Sequence, residues 1–349
     1  MKIGIYNPYL DTLGGHERYC FDLASCLAKK HSVSIFWDDP HILKKAFDRF
    51  AVSTRGISVV KNIWNRTLLM KLLEIRKYDA IFFVSDGSIP WIFSKKAFLL
   101  FEFPVPWVRG KTMIPQLKIN RFTSIICNSQ FVKNHIDATF GVDSVVLSPG
   151  VDLDSFMPGK KEQMILSVGR FTTGMNTKKQ ATLIGAFKTL CDAGLTGWKF
   201  ALAGGMLPGD SKFVEKLRKS AENYPIEIIP NVSFKNLQSL YARARIYWHA
   251  AGFGEDLEMH PQRAEHFGIS TIEAMSAAAV PVVYASGGQK DIVGNWVNGF
   301  LWKSPNELLM HTQELIKDSK KLSRFAKAAM ARAQNFSRKH FYEQVEDLL

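Results

Sequence analysis

Short apolar runs recur along this chain at intervals that leave room for a helix between them, and that alternation limits the folds open to it. Residues 3–7 read as a buried strand. A loop through Gly14 and Gly15, a helix over about 17–30 and a second strand at 33–37 follow. Strand, glycine loop, helix, strand is the opening of a doubly wound α/β domain, because parallel strands need a crossover between them. Further strands are expected at 80–84, 97–101, 124–127 and 144–147. Ser148-Pro149-Gly150 breaks the series, and Pro158-Gly159-Lys160-Lys161 reads as an exposed connector. A second series restarts at 164–168 and continues through 200–203, 227–229, 246–248 and 280–284. The chain is 349 residues long, enough for two such domains. The expected bounds are 1–157 and 158–337, with a helix over 338–349 at the end of the chain.

Chemistry concentrates in Glu265-His266-Phe267-Gly268-Ile269-Ser270-Thr271-Ile272-Glu273, which sets a carboxylate on each side of a Phe-Gly turn. The turn is expected to open into a helix with Ser270 as its N-cap and Glu273 as its third residue. A helix start offers unpaired N–H groups and a positive dipole end, which suit a phosphate. Carboxylates accept hydrogen bonds from vicinal hydroxyls. Together they suit a sugar nucleotide. Ser270 and Glu273 also fit a plain capping box, which leaves Glu265 and the Phe-Gly turn without a reason. Elsewhere, Arg170 follows the expected strand 164–168, with Lys178 and Lys179 ahead of an amphipathic run. Cations there would stabilise a departing diphosphate, or simply be solvated. Gly14-Gly15-His16-Glu17-Arg18 follows the first strand but lacks the dinucleotide fingerprint, so a plain turn competes with a ligand loop. Asp152-Leu153-Asp154 is a candidate metal triplet, read here as connector, and the acidic loop at 255–258 as solvated.

In these motifs the chain resembles glycosyltransferase family 4, retaining enzymes of the GT-B fold. The match runs through the two glutamates with seven residues between them, the Gly14-Gly15 loop, Gly169-Arg170 and Gly287-Gly288. The resemblance implies an α/β, GT-B architecture of two Rossmann-like domains facing across a cleft, with the final helix crossing back onto the first. Glu265, Arg170 and Lys178 would then be catalytic, with Lys179 the fallback for Lys178. Gly14, Gly15, Asn231, Val232, Phe267, Gly268, Ile269, Ser270 and Glu273 would bind the donor. His16 and Glu102 are acceptor-side candidates, and Glu102 stands where many members carry a His. Ala278 replaces a customary glycine. No metal or other cofactor is implied, since cationic side chains would neutralise the diphosphate. The wording around Glu265 and Trp248-His249-Ala250 looks most like mannosyltransferases of lipid-linked oligosaccharide or polysaccharide assembly, including lipopolysaccharide. GDP-mannose is the preferred donor and a UDP-sugar the alternative, with a glycan or lipid-linked acceptor. A sugar-nucleotide epimerase or hydrolase of the same fold, or a non-catalytic nucleotide-sugar-binding protein, is the competing reading.

Charge and composition bound the setting. The net charge is +13, and residues 41–77 carry nine cations against two acids, a net of +7. No nucleic-acid module accompanies it, so an anionic membrane surface is the expected partner and nucleic acid is not. Apolar segments are too short for a membrane span, and the first residues lack the h-region of a signal peptide. Four scattered cysteines fit buried thiols in a reducing compartment. The expectation is a cytoplasmic protein, peripheral on the inner face of the membrane.

Overall fold

The computed structural model describes residues 1–174 and 177–349 as two compact units, Met1–Gly150 with Arg338–Leu349, and Val151–Ser337. The first contains β1 (Lys2–Tyr6), α1 (Gly15–Leu27), β2 (Ser32–Phe36), α2 (Ile42–Phe50), β3 (Ile57–Val60) and α3 (Leu68–Ile75). It continues with β4 (Ala80–Ser85), β5 (Lys96–Phe101), α4 (Met113–Ile119), β6 (Ser124–Cys127), α5 (Gln130–Phe140) and β7 (Val145–Val146). The seven strands run parallel in the order β3-β2-β1-β4-β5-β6-β7. Central strands such as β4, Ala-Ile-Phe-Phe-Val-Ser, are buried along their whole length, as a sheet covered on both faces requires.

Strand alternation divides this unit's core in two. Phe82, Val84, Phe98, Leu100 and Ile126 face α1 and α2. Ile81, Phe83, Leu99, Phe101 and Ile125 face the opposite way and pack with Ile75 of α3, Ile119 of α4 and Ile136 of α5. A consequence concerns the basic segment 41–77. Its α2 part, with Lys44, Lys45 and Arg49, lies on one face of the sheet and its α3 part on the other. The +7 is therefore not one surface, and the expectation of a single docking segment is corrected.

The second unit holds β8 (Met164–Val168), α6 (Gln180–Asp192), β9 (Lys199–Gly204), α7 (Ser211–Ala221), β10 (Ile226–Pro230) and α8 (Phe234–Arg243). After these come β11 (Ile246–His249), α9 (Ile269–Ser276), β12 (Val280–Tyr284), α10 (Gln289–Ile292), β13 (Phe300–Trp302), α11 (Pro305–Lys317) and α12 (Ser319–Ala333). Its parallel sheet has the order β10-β9-β8-β11-β12-β13. Side-chain caps start three of its helices: Ser233, Ser304 and Asp318 accept from the N–H three residues on.

The chain leaves the first unit at Gly150 rather than at residue 157. Val151 donates to the Phe336 carbonyl at 2.8 Å, and Leu153 and Phe156 are buried in the second core, which draws residues 151–157 into that unit. The last helix, α13 (Arg338–Leu348), belongs to the first unit: Phe341 and Val345 enter its core, and Arg338 Nε lies 3.0 Å from Asp22. Strands β3 and β13 escape a reading by apolar runs. Only Ile57 of β3 is buried, and β13 is three residues long.

Candidate functional site

In the second unit, the residues singled out from sequence lie beyond the carboxyl ends of its strands, the edge where open parallel sheets bind ligands. Gly169 and Arg170 follow β8, Asn231 and Val232 follow β10, His249 ends β11, and the Glu265 loop leads into α9. Arg170 is exposed, while its backbone carbonyl accepts from Gln180 Nε2 at 2.9 Å. A Cβ on Gly169 would sit 2.5 Å from Lys178 Cγ, so the absence of a side chain there lets the Lys178 stem pass. Of the stretch 174–177, whose length bears on the Arg170–Lys178 spacing, Met175 and Asn176 lie outside the described residues.

Glu265 is the centre of the arrangement. Lys178 Nζ lies 2.5 Å, and His249 Nε2 2.7 Å, from the same carboxylate oxygen, Oε2. No donor among the described residues reaches Oε1. Burial alone would raise this carboxyl, but Lys178 and His249, through charge and hydrogen bonds, outweigh it and hold the group well below the usual carboxylate range. Burial lowers His249 in turn, against the pull of Glu265. The ring is neutral near pH 7 and donates from Nε2, and its Nδ1 is buried without a partner. Lys179 goes elsewhere: its Nζ lies 2.5 Å from Glu255, which Arg263 also contacts at 2.8 Å.

The backbone of Glu265 is fixed by the Gly287-Gly288 loop. Gly288 N–H donates to the Glu265 carbonyl at 2.7 Å, and a Cβ on Gly287, at φ +59°, would stand 2.0 Å from that oxygen. The helix start differs from the sequence expectation. Gly268, at φ +124°, is the N-cap of α9 and Ile269 its first residue. Ser270 instead accepts a hydrogen bond from Tyr247 at 2.8 Å. Glu273 is the fifth helical residue, buried, and accepts from Tyr241 at 2.8 Å. The capping box is therefore absent, because positive φ at Gly268 brings the chain into the helix two residues earlier. Phe267 is a core residue, packed 5.7 Å from Phe336. Gln289 is buried beside Gly268 with neither amide atom paired. Asn231, at φ +53°, donates its N–H to Gly204 and accepts from Met206 N–H through Oδ1, at 2.7 and 2.8 Å, while Val232 packs on the core. Nothing in the motif pattern pointed to Tyr241 or Tyr247, and Gln289 was visible only as the residue after the Gly287-Gly288 pair. His249 was visible only as part of a family resemblance.

In the first unit, Gly14 caps α1 and Gly15 is its first residue, two residues ahead of the expected start. Gly14 has an ordinary extended φ of −98°, and its N–H donates to Glu17 Oε2 at 2.6 Å, so its backbone donor is already engaged. Glu102 is no surface carboxylate. It is 2% exposed, its Oε2 lies 3.3 Å from His16 Nδ1, and its Oε1 is buried unpaired. Burial, and then the charge of Glu17, push this carboxyl well above the usual range. Asp152-Leu153-Asp154 forms a single turn in which Asp152 accepts from Ser155 at 3.0 Å and Leu153 is buried. Among the described residues, no group of three or more His, Cys, Asp and Glu side chains is placed to hold a metal ion.

Comparison with known proteins bears on this geometry. The family model described as "Glycosyl transferases group 1" matches residues 154–332, and "Glycosyltransferase Family 4" matches residues 13–155. The GDP-Man:Man(3)GlcNAc(2)-PP-Dol alpha-1,2-mannosyltransferase of Dictyostelium discoideum is 27% identical over 63% of this chain and 45% of its own length. The mouse protein of the same name is 29% identical over 52% of this chain and 38% of its own. The matches thus span less than half of these relatives. Among solved structures, Anabaena HepE in complex with UDP and glucose superposes with a TM-score of 0.71, at 19% identity and 99% and 98% coverage. A glycosyltransferase from Rickettsia africae gives 0.76, at 18% identity and the same coverage. With one family model spanning most of the second unit and another most of the first, this chain belongs to the group 1, family 4 glycosyltransferases, and its two α/β units are of the GT-B class.

Proposed function

We propose that this glycosyltransferase moves a hexose, mannose by preference, from a nucleotide-sugar donor to a glycan or lipid-linked acceptor, with retention at the anomeric carbon. The observation that carries the reading is Glu265: one oxygen is gripped by Lys178 and His249, and the other is left open near the start of α9. An ionised carboxylate with one committed oxygen is a preorganised acceptor for sugar hydroxyls. The mannosyltransferase relatives favour GDP-mannose as donor, and the UDP-bound fold neighbours keep a UDP-sugar as the second option. In this reading Arg170 and Lys178 stabilise the departing diphosphate, and Gly15, Phe267, Gly268, Ile269 and Ser270 line the donor through backbone. Glu273 takes the ribose diol, and Asn231 and Val232 lie against the base. The departing phosphate oxygen accepts the acceptor's hydroxyl proton, so the C1–O bond breaks and the new glycosidic bond forms on one face of the sugar. His16 and Glu102 serve the acceptor. The lipid-linked character of that acceptor, and a peripheral position on an anionic membrane, are supported by the net charge of +13. No helix among the described residues is long and apolar enough to cross a membrane.

A thermal-shift series with GDP, UDP, ADP and TDP tests the donor reading. Selective stabilisation by GDP, weakened in Glu273→Gln, is the expected result. Stabilisation by none of the four would overturn it, and selective stabilisation by UDP would exchange the donor.

A further inference from the structure

Among the described residues, exposed apolar side chains gather on one layer of the first unit. Helix α3 fully buries only Ile75, while Leu68, Leu69, Met70 and Leu73 are 50 to 67% exposed. Helix α4 fully buries only Ile119, while Met113, Ile114 and Leu117 are 52 to 74% exposed, with Trp107 at 57% in the preceding loop. Ile75 and Ile119 enter the same core, so both helices cover the same face of the sheet. A soluble surface scatters such residues singly, whereas a contiguous set marks something it meets.

The charge of this layer says what it meets. Residues 66–77 carry Arg66, Lys71, Arg76 and Lys77 against Glu74, which Lys77 already pairs at 2.6 Å. Residues 105–123 carry Arg109, Lys111, Lys118 and Arg121 and no acid. Lys118 and Arg121 sit over the rings of Trp91 and Phe93, at 5.8 and 4.6 Å, which ties α4 to the loop between β4 and β5. Leucines, a methionine-isoleucine pair and a tryptophan ringed by cations are the composition of an interfacial helix on anionic lipid. A protein partner would be expected to demand more varied polar complementarity at the rim.

We infer that the α3–α4 layer is a docking face for an anionic lipid bilayer, with Leu69, Leu73, Ile114 and Leu117 entering the acyl boundary and the surrounding Arg and Lys meeting lipid phosphates. The inference rests on the proposed lipid-linked acceptor for its purpose, and its evidence is independent of that reading. It also moves the docking face from the sequence segment 41–77 to two helices, one of which lies outside that segment. Helix α2 is across the sheet, beyond the roughly 8 Å over which salt leaves charge unscreened.

The test is co-sedimentation of the full chain with phosphatidylcholine vesicles with and without phosphatidylglycerol. The wild type binds the anionic vesicles and not the neutral ones. Leu69→Ser/Leu73→Ser and Ile114→Ser/Leu117→Ser, which change no charge, each weaken binding at least about tenfold. Lys44→Glu/Lys45→Glu on α2 weakens it less than about threefold. Equal loss in the α2 variant, or no loss in either apolar variant, overturns the inference. So does a dimer that Ile114→Ser/Leu117→Ser dissolves without any vesicle binding, which would assign the face to a second copy of the chain. GDP and UDP thermal shifts on the same samples separate the two claims. Nucleotide binding without vesicle binding removes the docking face and leaves the transferase reading. Vesicle binding without nucleotide binding does the reverse.

Discussion

Two cations of similar sequence position have different work at the level of single residues. Lys178 reaches Glu265 and Lys179 reaches Glu255, so neighbouring lysines enter separate networks. If Arg170 and Lys178 hold the leaving diphosphate, Arg170→Ala and Lys178→Ala should each lower turnover by about a hundredfold, the scale of losing one preorganised donor. Lys179→Ala should change it by no more than about threefold, as for a partly exposed ion pair. Steady-state rates on the three variants decide, and a dead Lys179→Ala beside a normal Lys178→Ala would reverse the assignment. His249 gives a second expectation. Its folded pKa is lowered, so as pH falls below about 6.5 the unfolded chain takes up a proton that folded His249 refuses. That contribution to stability is complete above this pH and is lost as pH falls toward the folded value. His249→Gln keeps a donor for Glu265 and removes the titration. The melting temperature of this variant should vary less between about pH 7 and 5 than that of the wild type. An unchanged slope would place the titration on other groups, such as His311, whose pKa burial also lowers. Sequence motifs made Glu265 and Lys178 visible because each is a charged group in a recognisable setting. The third member was hidden because an imidazole at the end of a strand becomes a partner of Glu265 only when the fold brings residues 249 and 265 together.

Helix α9 shows how elements were legible in outline and wrong in detail. Its existence and apolar face followed from Ile272, Ala274 and Met275, all fully buried. Its first turn did not, because Gly268 at φ +124° makes a cap that no side-chain pattern announces. The far end carries its own strain. Ala279 N–H donates to Ala274 and Ala278 N–H to Met275, at 2.9 and 3.0 Å, the two bonds of a Schellman motif. Ala278 therefore occupies the left-handed position, at φ +60°, where glycine is usual. This departure from the family pattern is therefore one of backbone conformation. An alanine there costs about 1–2 kcal/mol, of which the greater unfolded entropy of glycine returns a part. Ala278→Gly should raise stability by about 0.5–1 kcal/mol in urea unfolding, with transfer activity unchanged. A lower midpoint would mean that the Ala278 methyl is worth more than the strain.

For the molecule as a whole, alternation of strand and helix was enough to read two doubly wound units, because most of the buried strands announce themselves by an unbroken apolar run. The boundary and the final helix were not set by local pattern. Residues 151–157 and Arg338–Leu349 are assigned by which core takes Val151, Phe156 and Phe341, a matter of contacts distant in sequence. The chain passes between units at Gly150–Val151 and again at Ser337–Arg338, so the second unit is a continuous segment with its own sheet and core. Arg170, Lys178, Asn231, Glu265 and Glu273 all belong to it. If those residues hold the donor, a nucleotide must stabilise this unit in particular. Ligand at a hundred times its dissociation constant contributes about 2.7 kcal/mol to the unit that binds it. For a domain of this size that is a rise of roughly 5–10 °C in its melting temperature. Ala278→Gly supplies the marker, since it changes the second unit alone. In calorimetry, the transition that moves in Ala278→Gly should be the one that GDP moves. A nucleotide that shifts only the other transition would place the donor on the first unit, with Gly15, His16 and Glu102 as its contacts. A single transition, moved by both, would show that the two units unfold as one; the same comparison would then be repeated with Arg170→Ala, in which the nucleotide shift should shrink if the second unit binds it.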